Sequence, residues 1–206
     1  MTFRELNQKV CSVQKGLISL GVKKDTIVAG FVPNCAETVI TMLAVSSLGA
    51  VWTSCSPDFG AEGVVDRFGQ VNPHILITSN GYSYNGKLFK LEEKVNGVLD
   101  VINSIGHIIE IDYVDITSVF NHKSVISFDT LLENEGDVPR FEQLSFNHPL
   151  YIMYSSGTTG PPKSIIHSAG GTLIQHMKEH QLHCDIQSGR DKIFWFTTCG
   201  WMMWNW

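Results

Sequence analysis

The ten residues YSSGTTGPPK, Tyr154 to Lys163, hold the densest chemistry in the chain. A loop that cradles phosphate needs backbone N–H groups turned into one concavity, small residues that let oxygens approach, hydroxyls as further donors, and a cation. Ser155, Ser156, Gly157, Thr158, Thr159, Gly160 and Lys163 supply all four. The commoner phosphate pattern, G-x-x-x-x-G-K-[ST], fails here: aligned on Lys163 and Ser164 it finds Gly157 in place but requires glycine where Pro162 stands. Pro161 and Pro162 carry no N–H, so the donors must lie upstream of them and not at a helix start beside the lysine. The same residue types also make an ordinary solvated turn, and on the loop alone both readings stand.

Other groups with chemical potential are weaker. His176, His180, His183 and Cys184 fall at i, i+4, i+7 and i+8, a spacing from which imidazoles could meet one metal. Lys178, Glu179 and Gln181 among them make a solvated helix face the simpler expectation, and no metal site is assigned. His167 reads as a packed or supporting residue. Asp58 and Asp66 flank a helix start and form no acid and base pair, and Cys199 has no histidine partner that would make it a nucleophile. Trp195, Trp201, Trp204 and Trp206 read as packing residues.

The elements that must position these residues follow from periodicity. Thr2-x-x-Glu5 is a capping-box pattern ahead of Leu6, Val10, Val13, Leu17 and Leu20, predicting a helix over about 3–20. TIVAGFV (26–32) suits a strand buried on both faces; Asn34-x-x-Glu37 opens a second helix, and AVWTSC is the next strand. The alternation continues with a helix over 60–70, a strand over 74–79, a helix over 86–101 around Leu88, Leu91 and Val95, and a strand over 106–112. Such repetition implies β-α-β units and an α/β fold, parallel sheets with flanking helices. Residues 115–147 form a looser connection with a short helix over 128–133. PLYIMYSSG and KSIIHS are strands on either side of the loop, and GGTLIQHMKEHQLHC is a helix.

With 206 residues, 43% hydrophobic and 17% charged, the chain can bury a sizeable core. A net charge of −5 with scattered cations argues against a nucleic-acid partner or an anionic membrane surface. The apolar run Thr38 to Trp52 is too short to span a bilayer, MTFRELNQKV is no secretory signal, and five dispersed cysteines suit a reducing compartment. A cytoplasmic protein without membrane insertion is expected, its oligomeric state open.

YSSGTTGPPK resembles the signature loop of the adenylate-forming enzymes, which include acyl-CoA synthetases, luciferases and peptide-synthetase adenylation domains. Residues 28–60 resemble the early β-α-β core of that superfamily, and WFTTCGWMMWNW (195–206) its acyl-pocket segment. Together with SAGGTLIQHMKEHQLHCD, the last stretch looks most like the branch that activates acetoacetate. The resemblance implies a two-step ligase. The acid's carboxylate attacks the α-phosphate of ATP, giving an acyl-adenylate and pyrophosphate; coenzyme A then displaces AMP. It implies phosphate contacts from Ser155, Ser156, Gly157, Thr158, Thr159 and Gly160, with Mg2+ sharing the charge, mobile positive charge and a catalytic role from Lys163, and an acyl-pocket wall at Trp201. Ser164 stands where the superfamily more often has glycine or alanine.

By the same resemblance, residues 1–206 are an incomplete N-terminal domain: a core over 1–114, the loose connection over 115–147, and the loop hairpin, helix and acyl-pocket strand over 148–206, with the C-terminal domain absent. Inactivity of these residues alone is therefore expected, with an exposed aromatic patch near the end. An acetyl- or propionyl-type ligase, or a non-catalytic isoform that only binds, are the alternatives.

Overall fold

A computed structural model gives the structure of residues 1–134, 138–155 and 160–205. The core strands are β1 (Ile27–Phe31), β2 (Val51–Cys55), β3 (Ile75–Ser79), β6 (His107–Ile111), β7 (Val125–Ser127), β8 (Pro149–Ser155) and β9 (Lys163–Ser168). They form one seven-stranded sheet in the order β7-β6-β3-β1-β2-β8-β9. Neighbours run parallel except β8 and β9, which are an antiparallel pair. The chain places β2 on one side of β1 and β3 on the other, so the winding reverses at β1. In open α/β sheets that reversal opens a crevice at the carboxyl ends of the strands.

Helices cover both faces. On one, α1 (Phe3–Ser19), α2 (Ala36–Ser47) and α5 (Phe128–Leu132) bury Val13, Leu17, Ile40 and Leu131 against Val28, Ile75, Ile77 and Ile109. On the other, α3 (Ala61–Phe68) and α4 (Glu92–Leu99) bury Val64, Phe68 and Val95 against Ala29, Leu76 and Ile108. Successive strand residues thus alternate between two cores, which is why these strands are apolar throughout instead of every second position. The capping box at Thr2 and Glu5 is formed, with each side chain accepting from the other's backbone N–H. Asn34, by contrast, does not cap α2: Cys35 occupies that position, and Asn34 Oδ1 accepts from the Trp204 indole at 2.9 Å.

The region expected to be helical from 86 begins as a hairpin, β4 (Gly81–Tyr84) paired with β5 (Lys87–Lys90), and α4 starts only at Glu92. Asn85 and Gly86 both have positive φ, 49° and 73°, the geometry of the two-residue turn that asparagine-glycine favours. Leu88 faces solvent on that hairpin, outside any helical stripe. The connection after β6 is pinned by the buried Asn80. Its Nδ2 donates to Asp112 Oδ1, Val114 O and Ile116 O, and its Oδ1 accepts from the N–H groups of Tyr113 and Val114. Buried Gln14 does the same at the far end, donating to Arg140 O and accepting from Arg140 N.

After β9 come α6 (Ala169–Lys178), a π-helical turn (Glu179–His183), irregular chain, and a 3-10 turn (Met202–Asn205) where a strand was expected. The irregular stretch docks on the end of β2 because Gly200 has no side chain; a Cβ there would lie 2.9 Å from both Ser56 N and Ser56 Cβ. Among the described residues no helix is long and apolar enough to cross a membrane.

Candidate functional site

β8 and β9 bring the two arms of the YSSGTTGPPK loop together. Ser155, the last residue of β8, pairs with Lys163, the first of β9. The loop therefore leaves the sheet at the carboxyl end of a parallel strand and returns along the sheet's edge. Ser155 is half-buried, and Gly160 and Lys163 are exposed. Ser156, Gly157, Thr158 and Thr159 lie outside the described residues. Among the described residues, a Cβ added at Gly160 would meet nothing within 4 Å.

The entering arm is held from β2 and α3. Thr53 Oγ1 donates to Ile152 O at 2.8 Å and lies 3.0 Å from the Tyr154 hydroxyl. Burial holds the Tyr154 phenol well above its ordinary pKa, so it is a neutral hydrogen-bonding group and supplies no charge to the loop. The Arg67 guanidinium, from α3, stacks 4.6 Å from the Phe59 ring centroid and 6.0 Å from that of Tyr154. The returning arm is held by Gln70, just beyond α3. Its Nε2 donates to Pro162 O at 2.8 Å, and its Oε1 accepts from Ser164 Oγ at 2.8 Å. Sequence reasoning passed over Thr53, Arg67 and Gln70; their types are ordinary for a strand and a helix end, and only the pairing of β8 with β2 and β9 reveals their use.

Trp201 reaches the same end of the sheet. It and Tyr154 line one narrow gap between β2, β8 and the 3-10 turn, and 53% of Trp201 remains exposed. Its ring meets Phe196 edge-on, with centroids 6.3 Å apart. Cys199 is buried with Sγ 3.5 Å from Pro33 O, and burial raises its thiol pKa, so the group is a packed thiol unsuited to nucleophilic attack. Ser54 Oγ donates to Cys199 O at 2.8 Å, and Ser56 bonds the Thr198 hydroxyl, fastening this segment to the end of β2.

Behind the hairpin lies a cleft of about 520 Å³ between β8, β9 and α6, lined among others by Tyr151, Met153, His167, Gln175 and His176. Burial lowers the pKa of His167 and His176, and for His176 the neighbouring His180 adds to the effect. The rings of His176 and His180 stack at 5.9 Å. Among the described residues no group of three or more histidine, cysteine or carboxylate side chains could hold a metal ion. Past the cleft, Phe194, Trp195 and Phe196 are exposed, as the aromatic run near the end of the sequence led one to expect.

The chain as a whole matches known proteins closely. The family model described as AMP-binding enzyme matches residues 1–205. The chain belongs to the AMP-binding enzyme family. Over 209 residues it is 45% identical to acetoacetyl-coenzyme A synthetase of Rhizobium meliloti (strain 1021), covering all of this chain and 32% of the relative. Acetoacetyl-CoA synthetase of Mus musculus is 46% identical over 215 residues, with the same coverage. Among solved structures, acetoacetyl-CoA synthetase from Streptomyces lividans superposes with a TM-score of 0.93 at 41% identity, over 99% of this chain and 31% of that one. This AMP-binding chain therefore spans about a third of the length of the relatives it matches.

Proposed function

We propose that this chain is part of an ATP-dependent acid–thiol ligase that activates acetoacetate through an acyl-adenylate, forming acetoacetyl-CoA, AMP and pyrophosphate. The observation that carries the reading is the 0.93 superposition on an acetoacetyl-CoA synthetase, joined to the pairing of Ser155 with Lys163 that closes the loop. In this reading residues 1–206 form part of the N-terminal domain, with 1–114, 115–147 and 148–206 as its successive parts. The loop residues Ser155, Ser156, Gly157, Thr158, Thr159 and Gly160 hold the β- and γ-phosphates. Lys163 brings charge to them, and Trp201 walls the acyl pocket. The space that the described residues leave open around Gly160 suits an approaching phosphate oxygen. Mg2+ arrives on ATP as part of that substrate, since a small cation that keeps phosphate and water oxygens needs no protein cage. Coenzyme A is the second substrate, and a cytosolic setting suits five free thiols.

Catalysis needs groups converging from several elements, and this chain spans 32% of its relatives' length. Residues 1–206 alone accordingly bind MgATP weakly and form no acetoacetyl-CoA. Calorimetric titration with MgATP tests the first half: wild type binds, and Lys163→Ala binds about tenfold less tightly, as loss of one charge-assisted contact implies. Equal affinity for the two proteins, or acetoacetate-dependent AMP formation by the wild-type chain above the Lys163→Ala control, would overturn the corresponding half.

A further inference from the structure

We propose that Gln70 is a positioning residue for Lys163, clamping the main chain on both sides of it. The inference rests on the phosphate-binding reading of Lys163 and adds a residue to it. Lys163 begins an edge strand, and its long side chain inherits its direction from a backbone that β8 steadies on one side only. Gln70 supplies the other support. Its amide uses both ends: Nε2 donates to Pro162 O and Oε1 accepts from Ser164 Oγ, each at 2.8 Å, so the residues immediately before and after the lysine are tied to one side chain. Nε2 also donates to Asp66 O, which fixes the amide's orientation.

Gln70 is an exposed turn residue, but the helix that carries it is anchored in the core. Gln70 follows Phe68 by two residues, and Phe68 and Val64 are fully buried in the core beneath α3. Arg67, from the same helix, lies against the ring of Tyr154 on the entering arm. The end of α3 thus touches both arms of the hairpin, and the contact on the lysine arm is the one made by hydrogen bonds. A glutamine can do this where glutamate or leucine cannot, because a donor and an acceptor are needed at once.

Two readouts on the 206-residue chain test the clamp. Lys163–Ser164 is a tryptic bond, and its cleavage rate can be followed by mass spectrometry beside that after Lys87, which sits exposed on β5. Gln70→Ala should raise cleavage after Lys163 about fivefold, the worth of one or two lost hydrogen bonds, with the Lys87 rate and the thermal midpoint unchanged. Ser164→Ala, which removes one arm only, should give a smaller rise. In calorimetry with tripolyphosphate, Gln70→Ala should bind about fivefold less tightly. The Gln70→Ala/Lys163→Ala double variant should bind no less tightly than Lys163→Ala alone, because Gln70 acts through the lysine. A purely structural role for Gln70 would instead add its full loss in the double variant, and that result overturns the proposal. So does a fall in affinity with Lys163→Ala while Gln70→Ala changes neither affinity nor cleavage. If Lys163→Ala binds tripolyphosphate as wild type does, the phosphate reading of the lysine fails and the positioning role fails with it, whatever the cleavage rates show.

Discussion

β3 and β9 belong to one sheet, yet all five residues of β3 are buried whereas four of the six in β9 are exposed and the other two only half-buried. The helices differ in the same way: α1 buries seven residues, and α6 has none in the buried class, with Leu173, Ile174 and Met177 open to solvent. Around β1 and β3 both faces of the sheet are covered within the chain, so apolar burial there is complete. At the β9 end the covering layer is thin. The described members of the candidate phosphate loop, Ser155, Gly160 and Lys163, sit at this second, thinly packed end. Ligand-binding segments are drawn from the less stable parts of proteins, because a surface already packed has no room for a ligand.

The sharpest way to break the contrast is to delete equivalent side chains at the two ends. Ile77→Ala should cost about 3 kcal/mol in chemical denaturation, since Ile77 is fully buried between α1, α2 and the sheet. Ile166→Ala on β9, 64% exposed, should stay within about 0.5 kcal/mol. Equal losses would mean that the ends are equally packed. Next is Asn80→Ala, expected to cost about 2 kcal/mol because it removes a buried amide and leaves half-buried carbonyls and N–H groups at Val114 and Ile116 without it. Gln175→Ala on α6 should be close to neutral on the same scale. A thiol reagent sharpens the comparison without mutation. Exposed Cys184 should label first, while Cys11, Cys55 and Cys199 resist, burial having pushed the Cys55 thiol up to about 12.

The smallest expected effect is one of pH. Burial depresses the pKa of His167 and His176 in the folded chain, so near pH 6.5 the unfolded chain binds more protons than the folded one. Stability conferred by these neutral rings is present above the ordinary histidine range and is lost as pH falls through 6.5 toward the depressed values. Both rings are largely solvent-screened, so the decline in thermal midpoint from pH 7.5 to 5.5 should be slight. A His167→Gln/His176→Gln variant should lessen it, leaving the share of His107, whose pKa burial also lowers, and a midpoint that rises on acidification would contradict the assignment.

Much of the core could be read in advance because its signals are local. The capping box at Thr2 and Glu5 and the apolar runs of β1, β3 and β6 each announce an element within a few residues. The hairpin over 81–90 was legible too, in Asn85-Gly86, but the leucine at 88 falls in phase with Leu91 and Val95 and favours a helix by period alone. The strand β7 and the pinning of the 115–147 connection were not legible. The strand depends on its pairing with β6, and the pinning depends on Asn80 and Gln14, whose partners lie as many as 126 residues away.

The candidate site divides along the same line. Its donor types, its cation and the exclusion of the commoner phosphate loop by Pro162 were determined by sequence, because a missing N–H and a glycine's small size are properties of single residues. That Ser155 faces Lys163, that Trp201 comes to the strand end beside Tyr154, and that Gln70 ties down both neighbours of the lysine were decided by tertiary structure. Those contacts join residues 47 to 94 positions apart, except for the hairpin pair itself, and no local pattern encodes which strand lies beside which. The winding of the sheet places β8 next to β2 and α3 beneath the hairpin, and the geometry of the site follows from that placement.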